Sequence, residues 1–375
     1  MIPLLAALFS HPRTPSPAES TVESTVTSPG AYVQFRPGDA LPGLGPDARI
    51  DLGLREAAAE LAGQVTRPDA RLTPDAVRAA LGRAGYPADA RFLRIVGGAD
   101  PPAELLAAIP RGESVDVGWA WRDLPDGRRW WVVGWAPRHL SLDPLPRDLA
   151  LDRGLAVRVD GAREPRLFVG APDGGVTEYT LTDGMARWVG DFHVPGEFRL
   201  EVVDGDRVEL LFSVYVDAAP PPPAPLVGPA PPPDAATAAA YVSAQVAALR
   251  SRTGASPLAP LPAFDRLARA HAACLGGTGE TLHRSPSCPG VAELAARSFS
   301  PRGLLREDVA AADTAAEAWQ RLLDSPGHRA NLLAPDVTHL AVGAAMGAGP
   351  VPRVVIVTEL CAFPNGLPAP IPTTK

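Results

Sequence analysis

The sequence predicts an α+β protein built from three successive folded regions. A run over 314–323 carries apolar residues at helical spacing near the C-terminus. Short alternating segments between 145 and 218 are typical of antiparallel strands. A proline-rich stretch over 219–233 separates the two. We therefore expect strand-rich and helix-rich parts to form separate units along the chain of 375 residues.

The composition is that of an ordinary globular protein. Hydrophobic residues make up 46% of the chain and charged residues 21%, with a formal net charge of −7. This mild negative charge, without a basic stripe, argues against a nucleic acid or an acidic membrane surface as partner. No run of about 20 apolar residues is present, so we expect no transmembrane segment.

Residues 1–44 are predicted to be an export signal or a disordered tail. The first nine residues, MIPLLAALF, form a short apolar segment, and a stretch rich in Pro, Ser and Thr follows. A signal peptide has a basic start and an apolar core of about 7–15 residues. Because the basic start is missing here, both interpretations stay open.

Residues 45–144 are predicted to form a divergent α+β region. Thr73-Pro74 is typical of an N-cap followed by proline at the first helical position. Asp126-Gly127 lies between two apolar runs, which is a hairpin signal. The predicted elements are helices over 51–61, 77–84 and 102–108, and strands over 115–121 and 130–136.

Residues 145–218 are predicted to form a small antiparallel β-sandwich. Turn residues such as Asp204-Gly205 separate short segments that alternate between apolar and polar side chains. The alternating segments lie over 155–159, 176–181, 198–202 and 208–216. This part resembles a bacterial immunoglobulin-like module, and the resemblance implies a spacer or a binding module without catalytic residues.

Residues 219–233 are predicted to be a proline-rich linker. Such a composition favours an extended polyproline conformation, which acts as a semi-rigid spacer of ~3.1 Å per residue. A peptide-docking role is the alternative. The linker is the clearest domain boundary in the sequence, and it places a further domain over 234–365 and a tail over 366–375.

The stretch 324–333 of that last domain reads DSPGHRANLL. The residue before a proline is pushed out of the helical region, so the preceding helix must end before Pro326. The stretch resembles the S-P-G-H-R-x-N-[IL]-L signature of bacterial CAP proteins (the cysteine-rich secretory, antigen 5 and pathogenesis-related superfamily, or SCP-like proteins). Residues 241–261 resemble the opening helix of that family, and 306–310 a degenerate G-E-N motif. The resemblance covers roughly 234–365 and implies an α-β-α sandwich.

The resemblance also implies a cleft formed by His283, Glu307 and His328. In the family the two histidines can hold a divalent metal such as zinc, so His283 and His328 are the candidate metal ligands. Neutral imidazole suits zinc, and a carboxylate can orient the ring or a bound water. The alternative is a hydrogen-bonded polar cluster that only fixes loops to the core. A binding role requires no cofactor, and zinc is the one cofactor that the resemblance suggests.

The cleft departs from the family pattern at several positions. Leu322 stands where the family has tryptophan, six residues before the second histidine, and Arg306 and Asp308 replace the glycine and asparagine of G-E-N. The second acidic residue has no clear counterpart, and Asp324 is the nearest substitute. Because the set is incomplete, we expect binding rather than catalysis and assign no catalytic residue.

The three cysteines, Cys274, Cys288 and Cys361, all lie in the C-terminal third. Three cysteines cannot all pair within one chain. One disulfide, with Cys274 and Cys288 as the candidate pair, and buried reduced thiols are the two alternatives. A zinc knuckle formed by these two cysteines with His271 and His283 is a further alternative, but its spacing is irregular for a structural zinc site.

The order of elements before residue 140 resembles the order in the C-terminal domain. Gly118 precedes Arg129 and an apolar strand, as Gly343 precedes Arg353 and an apolar strand. We interpret residues 45–140 as a shortened, degenerate copy of the same α-β-α layout that has lost the cleft. A chance recurrence of helices followed by a hairpin is the alternative.

Together these observations predict an exported protein with a non-enzymatic binding or interaction role at the cell envelope or outside the cell. The predicted partner is a small apolar ligand or an envelope or extracellular protein. A metal-dependent, protease-like hydrolase that uses the same cleft is the alternative. A structural envelope protein with a vestigial cleft is a third hypothesis.

Overall fold

The computed structural model of the protein describes most of the chain from residue 44 to residue 370. Within that span it leaves out residues 66–69, 88–89, 139–140, 143–147, 161, 182–185, 206, 224–225, 227, 229–233, 279–282, 284–286, 301–302 and 348–352. The predicted export signal or tail over 1–43 and the last five residues of the predicted C-terminal tail lie outside the described residues.

The first region is a four-stranded sheet with helices on both faces. Its elements are β1 (Ala48–Ile50), α1 (Leu52–Gln64), α2 (Pro74–Ala84), β2 (Arg91–Gly97), α3 (Ala103–Ala107), β3 (Val115–Asp123) and β4 (Arg129–Pro137). The strand order is β1-β3-β4-β2, with β1 parallel to β3 and the other pairs antiparallel. Thr73 caps α2 by accepting a hydrogen bond from the backbone N–H of Ala76, as its sequence position predicts.

Two apolar clusters hold this N-terminal sheet to its helices. Leu54 and Leu61 of α1 and Ala80 of α2 pack on one face of the sheet. Leu105 of α3 packs on the opposite face among Trp119, Trp131 and Trp135. The sheet is therefore buried on both sides, as the sequence prediction of an α+β region requires.

The second region is a β-sandwich. Its strands are β5 (Ser141–Leu142), β6 (Asp148–Leu149), β7 (Gly154–Asp160), β8 (Pro165–Gly170), β9 (Val176–Thr180), β10 (Ala186–Asp191), β11 (Gly196–Asp204) and β12 (Arg207–Val216). They form a three-stranded sheet, β10-β7-β5, and a five-stranded sheet, β6-β12-β11-β8-β9. Leu155 and Val157 of the first sheet share one core with Leu200 and Phe212 of the second.

The third region is a second four-stranded sheet between two helical layers. Its helices are α4 (Ala235–Thr253), α5 (Pro262–Thr278), α6 (Val291–Ser298), α7 (Ala315–Asp324) and α8 (Pro326–Leu333). Its strands are β13 (Ala259–Pro260), β15 (Leu304–Ala312), β16 (His339–Met346) and β17 (Val354–Ala362), in the order β13-β16-β17-β15. A separate pair, β14 (Phe299–Ser300) and β18 (Ala369–Pro370), lies beside it. One core lies under α5 and α6 and another under α4 and α7, which gives the α-β-α layering.

The predicted α+β class is confirmed. Each helix and strand predicted before residue 140 is present within a few residues of its predicted bounds. The sequence prediction missed strands β2, β8 and β10, which belong to the N-terminal sheet and to the two sheets of the sandwich. Among the described residues, no helix is long and apolar enough to cross a membrane.

The proline-rich stretch differs from the extended spacer that its composition predicts. Leu226 packs against the apolar cluster under α1 and α2. The carbonyl oxygens of Pro221 and Gly228 accept hydrogen bonds from Arg83 and Arg71. The described part of the linker is therefore attached to the N-terminal region and does not extend freely between domains.

Candidate functional site

His328 lies on the short helix α8. Ser325 is the N-cap of this helix, and its hydroxyl accepts a hydrogen bond from the backbone N–H of His328. Pro326 occupies the first helical position, where its missing N–H costs nothing. The predicted end of α7 before Pro326 is confirmed, and His328 lies in the first turn of the following helix.

The structure brings the three predicted cleft residues together. Nδ1 of His283 lies 3.0 Å from Oε1 of Glu307, within hydrogen-bond distance. Oε2 of Glu307 accepts a hydrogen bond of 3.2 Å from the backbone N–H of Val291, at the start of α6. The rings of His283 and His328 are 6.3 Å apart, edge to face.

Two further polar residues complete this cluster, and the sequence prediction did not include them in the cleft. Glu359 of β17 lies directly opposite Glu307 of β15 and is fully buried. His271 of α5 is also buried, with Nε2 3.7 Å from Oε1 of Glu307. Both residues reach the cleft only through the pairing of β15 with β17 and the packing of α5, which local sequence does not reveal.

The two glutamates share one negative charge. Burial raises the pKa of Glu359 well above its usual range, and the neighbouring charge of Glu307 raises it further. Burial would also raise the pKa of Glu307, but hydrogen bonds with His283 and Glu359 outweigh it and lower this pKa overall. Glu359 is therefore the protonated partner of the pair.

Asp308 lies on the opposite face of the same strand, because side chains of adjacent strand residues alternate. Its carboxylate accepts hydrogen bonds from Nδ2 of Asn331 (2.8 Å) and Oγ1 of Thr358 (3.2 Å). Burial raises the pKa of Asp308 to about 7, despite the opposing effect of the Asn331 hydrogen bond. This aspartate ties α8 to the central strand pair.

His328 is held in its neutral form. Burial lowers the pKa of His328 to about 3, and a charge on His283 lowers it further. No described residue hydrogen-bonds Nδ1 of His328. The ring is therefore an uncharged, incompletely paired polar group at the wall of the cleft.

The β-sandwich contributes directly to this site through strand β11. The carboxylate of Glu201 accepts hydrogen bonds from Oγ of Ser325 (2.8 and 2.9 Å) and from the backbone N–H of Gly327. Glu201 is only 1% exposed. It lies at the N-terminus of α8, where a negative charge is favoured by the helix dipole.

Asp324, the nearest sequence substitute for a second acidic residue, is paired with arginines of the other two regions. Its Oδ1 accepts a hydrogen bond of 2.6 Å from Arg199 of the sandwich. Its Oδ2 lies 3.2 Å from Nε of Arg78 on α2. Asp324 therefore joins the three regions, while Glu359 is the acidic residue that lies directly opposite Glu307.

A cavity of ≈ 710 Å³ adjoins the cleft. His283, Glu307 and His328 line it from the helical side, while Phe168, Glu201 and Val203 line it from the sandwich. The cleft is therefore shared between the C-terminal region and the β-sandwich.

The cleft residues fit a bound zinc ion poorly. Among the described residues, no three His, Cys, Asp or Glu side chains are arranged to hold a metal ion. Both oxygens of Glu307 are engaged, by His283 and by the N–H of Val291. This leaves the imidazoles of His283 and His328, whereas zinc in proteins usually has at least three protein ligands. We assign no chemical step to a metal in this cleft.

The cysteines have separate roles. Cys274 of α5 and Cys288 form a disulfide, and Cys361 is a buried free thiol. Burial raises the pKa of Cys361, so it is a poor nucleophile. The zinc-knuckle alternative is wrong, because two of its four ligands are consumed by the disulfide.

Comparison with known proteins gives one family match. Residues 244–357 match the profile of the CAP family, described as the cysteine-rich secretory protein family. No curated protein matches the chain. The match includes Glu307 and His328 and the sheet that carries the cleft.

Several solved structures are also similar to the chain. An extracellular protein with an SCP domain from Bacillus anthracis is 18% identical, with 60% of this chain and 86% of that chain covered and a TM-score of 0.30. An outer surface protein of Borrelia burgdorferi is 18% identical, with 33% and 92% covered and a TM-score of 0.29. A cysteine-rich secretory protein of Staphylococcus aureus is 10% identical, with 56% and 75% covered and a TM-score of 0.27.

At these TM-scores the structural likenesses are too loose to support a functional inference. The family match is independent of them and lies on the residues that build the α-β-α layers and the cleft. Residues 244–357 are thus a CAP domain, and the chain is a CAP-domain protein.

Proposed function

We propose that this protein is exported and binds a ligand in the cleft around His283, Glu307 and His328, without chemical turnover. The observation that carries the proposal is the cavity of ≈ 710 Å³ that these three residues share with the β-sandwich. A concave site with a few convergent polar groups is the usual form of a binding pocket. The ligand or partner is met at the cell envelope or outside the cell.

The state of the polar groups favours binding over catalysis. Ser325 lies next to His328, but its hydroxyl is engaged by Glu201 and by the helix N-terminus. Cys361 is buried with a raised pKa. Neither the Ser325 hydroxyl nor the Cys361 thiol is hydrogen-bonded to an imidazole, which is the arrangement that activates a nucleophile.

Two observations support export. CAP proteins of the matched family are secretory by description. The disulfide between Cys274 and Cys288 is the kind of bond that persists in oxidising compartments and is rare in the cytosol. Export is tested by expressing the full chain in a bacterial host and assaying the culture medium and envelope fractions for the oxidised protein.

Ligand binding is tested by native mass spectrometry of the full chain. The probes are palmitate, phosphatidylglycerol and random dodecapeptides, each offered alone. Ala292 lines the cavity at the start of α6 and is exposed, so Ala292→Trp fills the cavity without disturbing the core. Ala273→Trp, on an exposed position of α5 away from the cavity, is the matched control.

We expect one probe class to bind the wild type and the Ala273→Trp variant, with at least about tenfold weaker binding to Ala292→Trp. Binding that is equal in all three proteins would contradict the proposed site. Zinc-dependent hydrolysis of casein that is lost in the His283→Ala/His328→Ala variant would replace a binding role by a protease-like hydrolase.

A further inference from the structure

Strand β15 is an edge strand that faces the cavity. It pairs with β17 on one side and, among the described residues, with no strand on the other. Four consecutive residues of β15 line the cavity, namely Leu304, Leu305, Arg306 and Glu307. Side chains of a strand alternate between its two faces. Four consecutive lining residues therefore mean that the cavity lies against the backbone edge of the strand.

Protein walls surround this edge on three sides. The start of α6, at Val291 and Ala292, lies on one side, and Gly327 and Asn331 of α8 lie on the other. Phe168 of the sandwich forms part of the wall opposite the edge. The space is thus a slot about four residues long, or roughly 13 Å at the rise of a β-strand.

The edge has neither the proline nor the bulge that usually protects an exposed strand, and its two charged side chains, Arg306 and Glu307, are engaged by Asp336 and His283. Natural edge strands carry proline, lysine or a bulge that prevents pairing with another chain. Residues 304–307 read LLRE, and the pairing of β15 with β17 runs without a register shift. Leu304 is 39% exposed. Such an edge is a ready template for an added strand.

We infer that the slot takes an extended peptide segment of a partner protein, which adds as a fifth strand beside β15. This inference rests on the proposed binding function of the cleft and names its ligand class. A peptide backbone satisfies the N–H and C=O groups of the free edge, whereas an acyl chain leaves them unpaired. Alternate side chains of the peptide then point toward Phe168 and toward the His283–Glu307 pair.

The charges around the slot favour a basic peptide. The carboxylates of Glu201, Glu293 and Glu307 and the neutral carboxyl of Glu359 line the slot, against the guanidinium groups of Arg166 and Arg306. Both arginines already have acidic partners, Glu178 and Asp336 respectively. A lysine or arginine side chain near Glu307 is therefore better matched than an acidic one.

The inference is tested by panning a phage library of random dodecapeptides on the full chain. The best binder is synthesised, and its affinity is measured by fluorescence anisotropy for the wild type, Ala292→Trp and Ala273→Trp. The peptide is then N-methylated at one backbone position at a time. Because only every second residue of an added strand bonds to its neighbour, we expect affinity losses of at least about tenfold at alternate positions.

The expected binder is rich in lysine and arginine, loses at least about tenfold in affinity with Ala292→Trp and is unaffected by Ala273→Trp. Losses without alternation, or a binder insensitive to Ala292→Trp, would overturn the inference. A dimer through β15 in light scattering would assign the edge to a second copy of this chain. Cavity-dependent binding of palmitate without any peptide binder would overturn the peptide inference and leave the proposed binding function standing.

Discussion

The N-terminal sheet and the CAP sheet have the same strand order. They differ in the side chains that lie between the sheet and the helix that packs on it, which is α1 in the first and α5 in the second. The orders β1-β3-β4-β2 and β13-β16-β17-β15 match strand for strand, with one parallel pair followed by two antiparallel pairs in each. In both sheets, the helix that follows the first strand packs on the middle two strands of the sheet. Helix α1 packs on β3 and β4, and helix α5 packs on β16 and β17. The two sheets share this frame of strands and helix, but they do not share the polar residues of the cleft.

A glycine marks the same close approach of helix and strand in each sheet. A Cβ on Gly118 of β3 would overlap the backbone of α1 at Leu54, and one on Gly343 of β16 would overlap the backbone of α5 at Ala268. When the two sheets are aligned on these glycines, each position of one sheet can be assigned an equivalent position in the other. We propose on this basis that the N-terminal region is a degenerate copy of the CAP layers.

The alignment shows what the copy has in place of the cleft. Ala57, Ala90 and Ala136, all buried, occupy the positions of His271, Glu307 and Glu359, respectively. Three polar residues of one sheet thus correspond to three methyl groups in the other. The comparison indicates that this frame can fold without the polar cluster.

The largest effect is expected from alanine at the two glycines. Gly343→Ala and Gly118→Ala each force helix and strand apart, because the new methyl group meets helix backbone that cannot move aside. We expect each to lower the free energy of unfolding by more than about 4 kcal/mol, measured by urea denaturation. Gly98→Ala, whose Cβ meets nothing within 4 Å, is the control. Tolerance of Gly118→Ala alone would mean that the two frames do not match.

The second effect concerns Asp308, whose aligned position in the N-terminal sheet is the exposed Arg91. The pKa of Asp308 is raised to about 7 in the folded protein. Stability that depends on its protonation is therefore fully present below pH ~4 and is lost as the pH rises toward 7. Asp308→Asn removes this loss, so the variant gains stability relative to wild type over that range, on the order of 4 kcal/mol.

The difference between the two proteins is the quantity to measure, by urea denaturation at several pH values. His328 has the opposite effect in both, since its lowered pKa gives stability above pH ~6.5 that is lost as the pH falls toward 3. Parallel stability profiles for wild type and Asp308→Asn would show that the pKa of Asp308 is the same in the folded and unfolded states and would contradict its raised value.

Sequence alone predicted those parts of the fold whose signals are local. Thr73, Asp126-Gly127 and Thr314 act through their immediate neighbours, and the elements they begin or join are present. Strands β2, β8 and β10 were missed because neither alternation nor turn residues distinguish them from loops. What makes each a strand is its partner in the sheet.

The same limit applies to the site. The family signature identified Glu307 and His328, since both lie in or beside short motifs. Glu359 belongs to the cleft only because of its register with Glu307 across two strands. Glu201 belongs to it through contacts with Ser325, 124 residues further along the chain. No sequence pattern links residues that meet only after two separate regions have folded.

The third prediction compares the two sheets by a disulfide that only the CAP domain contains. All three cysteines lie in the CAP domain, so the Cys274–Cys288 disulfide constrains that sheet and leaves the N-terminal sheet without any. Closing a loop of this size stabilises by about 3 kcal/mol in the chain-entropy account. We expect Cys274→Ala/Cys288→Ala to speed amide hydrogen exchange in α5 and β16 and to leave β3 and β4 unchanged. Equal acceleration in both sheets would mean that the two regions unfold as one unit.

The smallest effect tests whether the β-sandwich stabilises the cleft helix. The N-terminal region offers the contrast, because α3 has no side-chain cap, whereas α8 receives Glu201 at its N-terminus and Arg250 at its C-terminal carbonyls. Glu201→Ala leaves Ser325 and the N–H of Gly327 without this acceptor. We expect a local loss of about 2 kcal/mol in the protection of α8, measured by native-state hydrogen exchange.

Two variants sharpen this last measurement. Glu201→Gln keeps an acceptor but removes the charge, so it is expected to retain part of the protection that the helix dipole and the hydrogen bonds provide. Glu178→Ala, at an exposed glutamate on strand β9 of the same sheet, is the control and is expected to leave α8 unchanged. If α8 exchanges at the wild-type rate in Glu201→Ala, the helix that carries His328 is held by the CAP domain alone. In that case the sandwich forms a wall of the cavity but does not order the site.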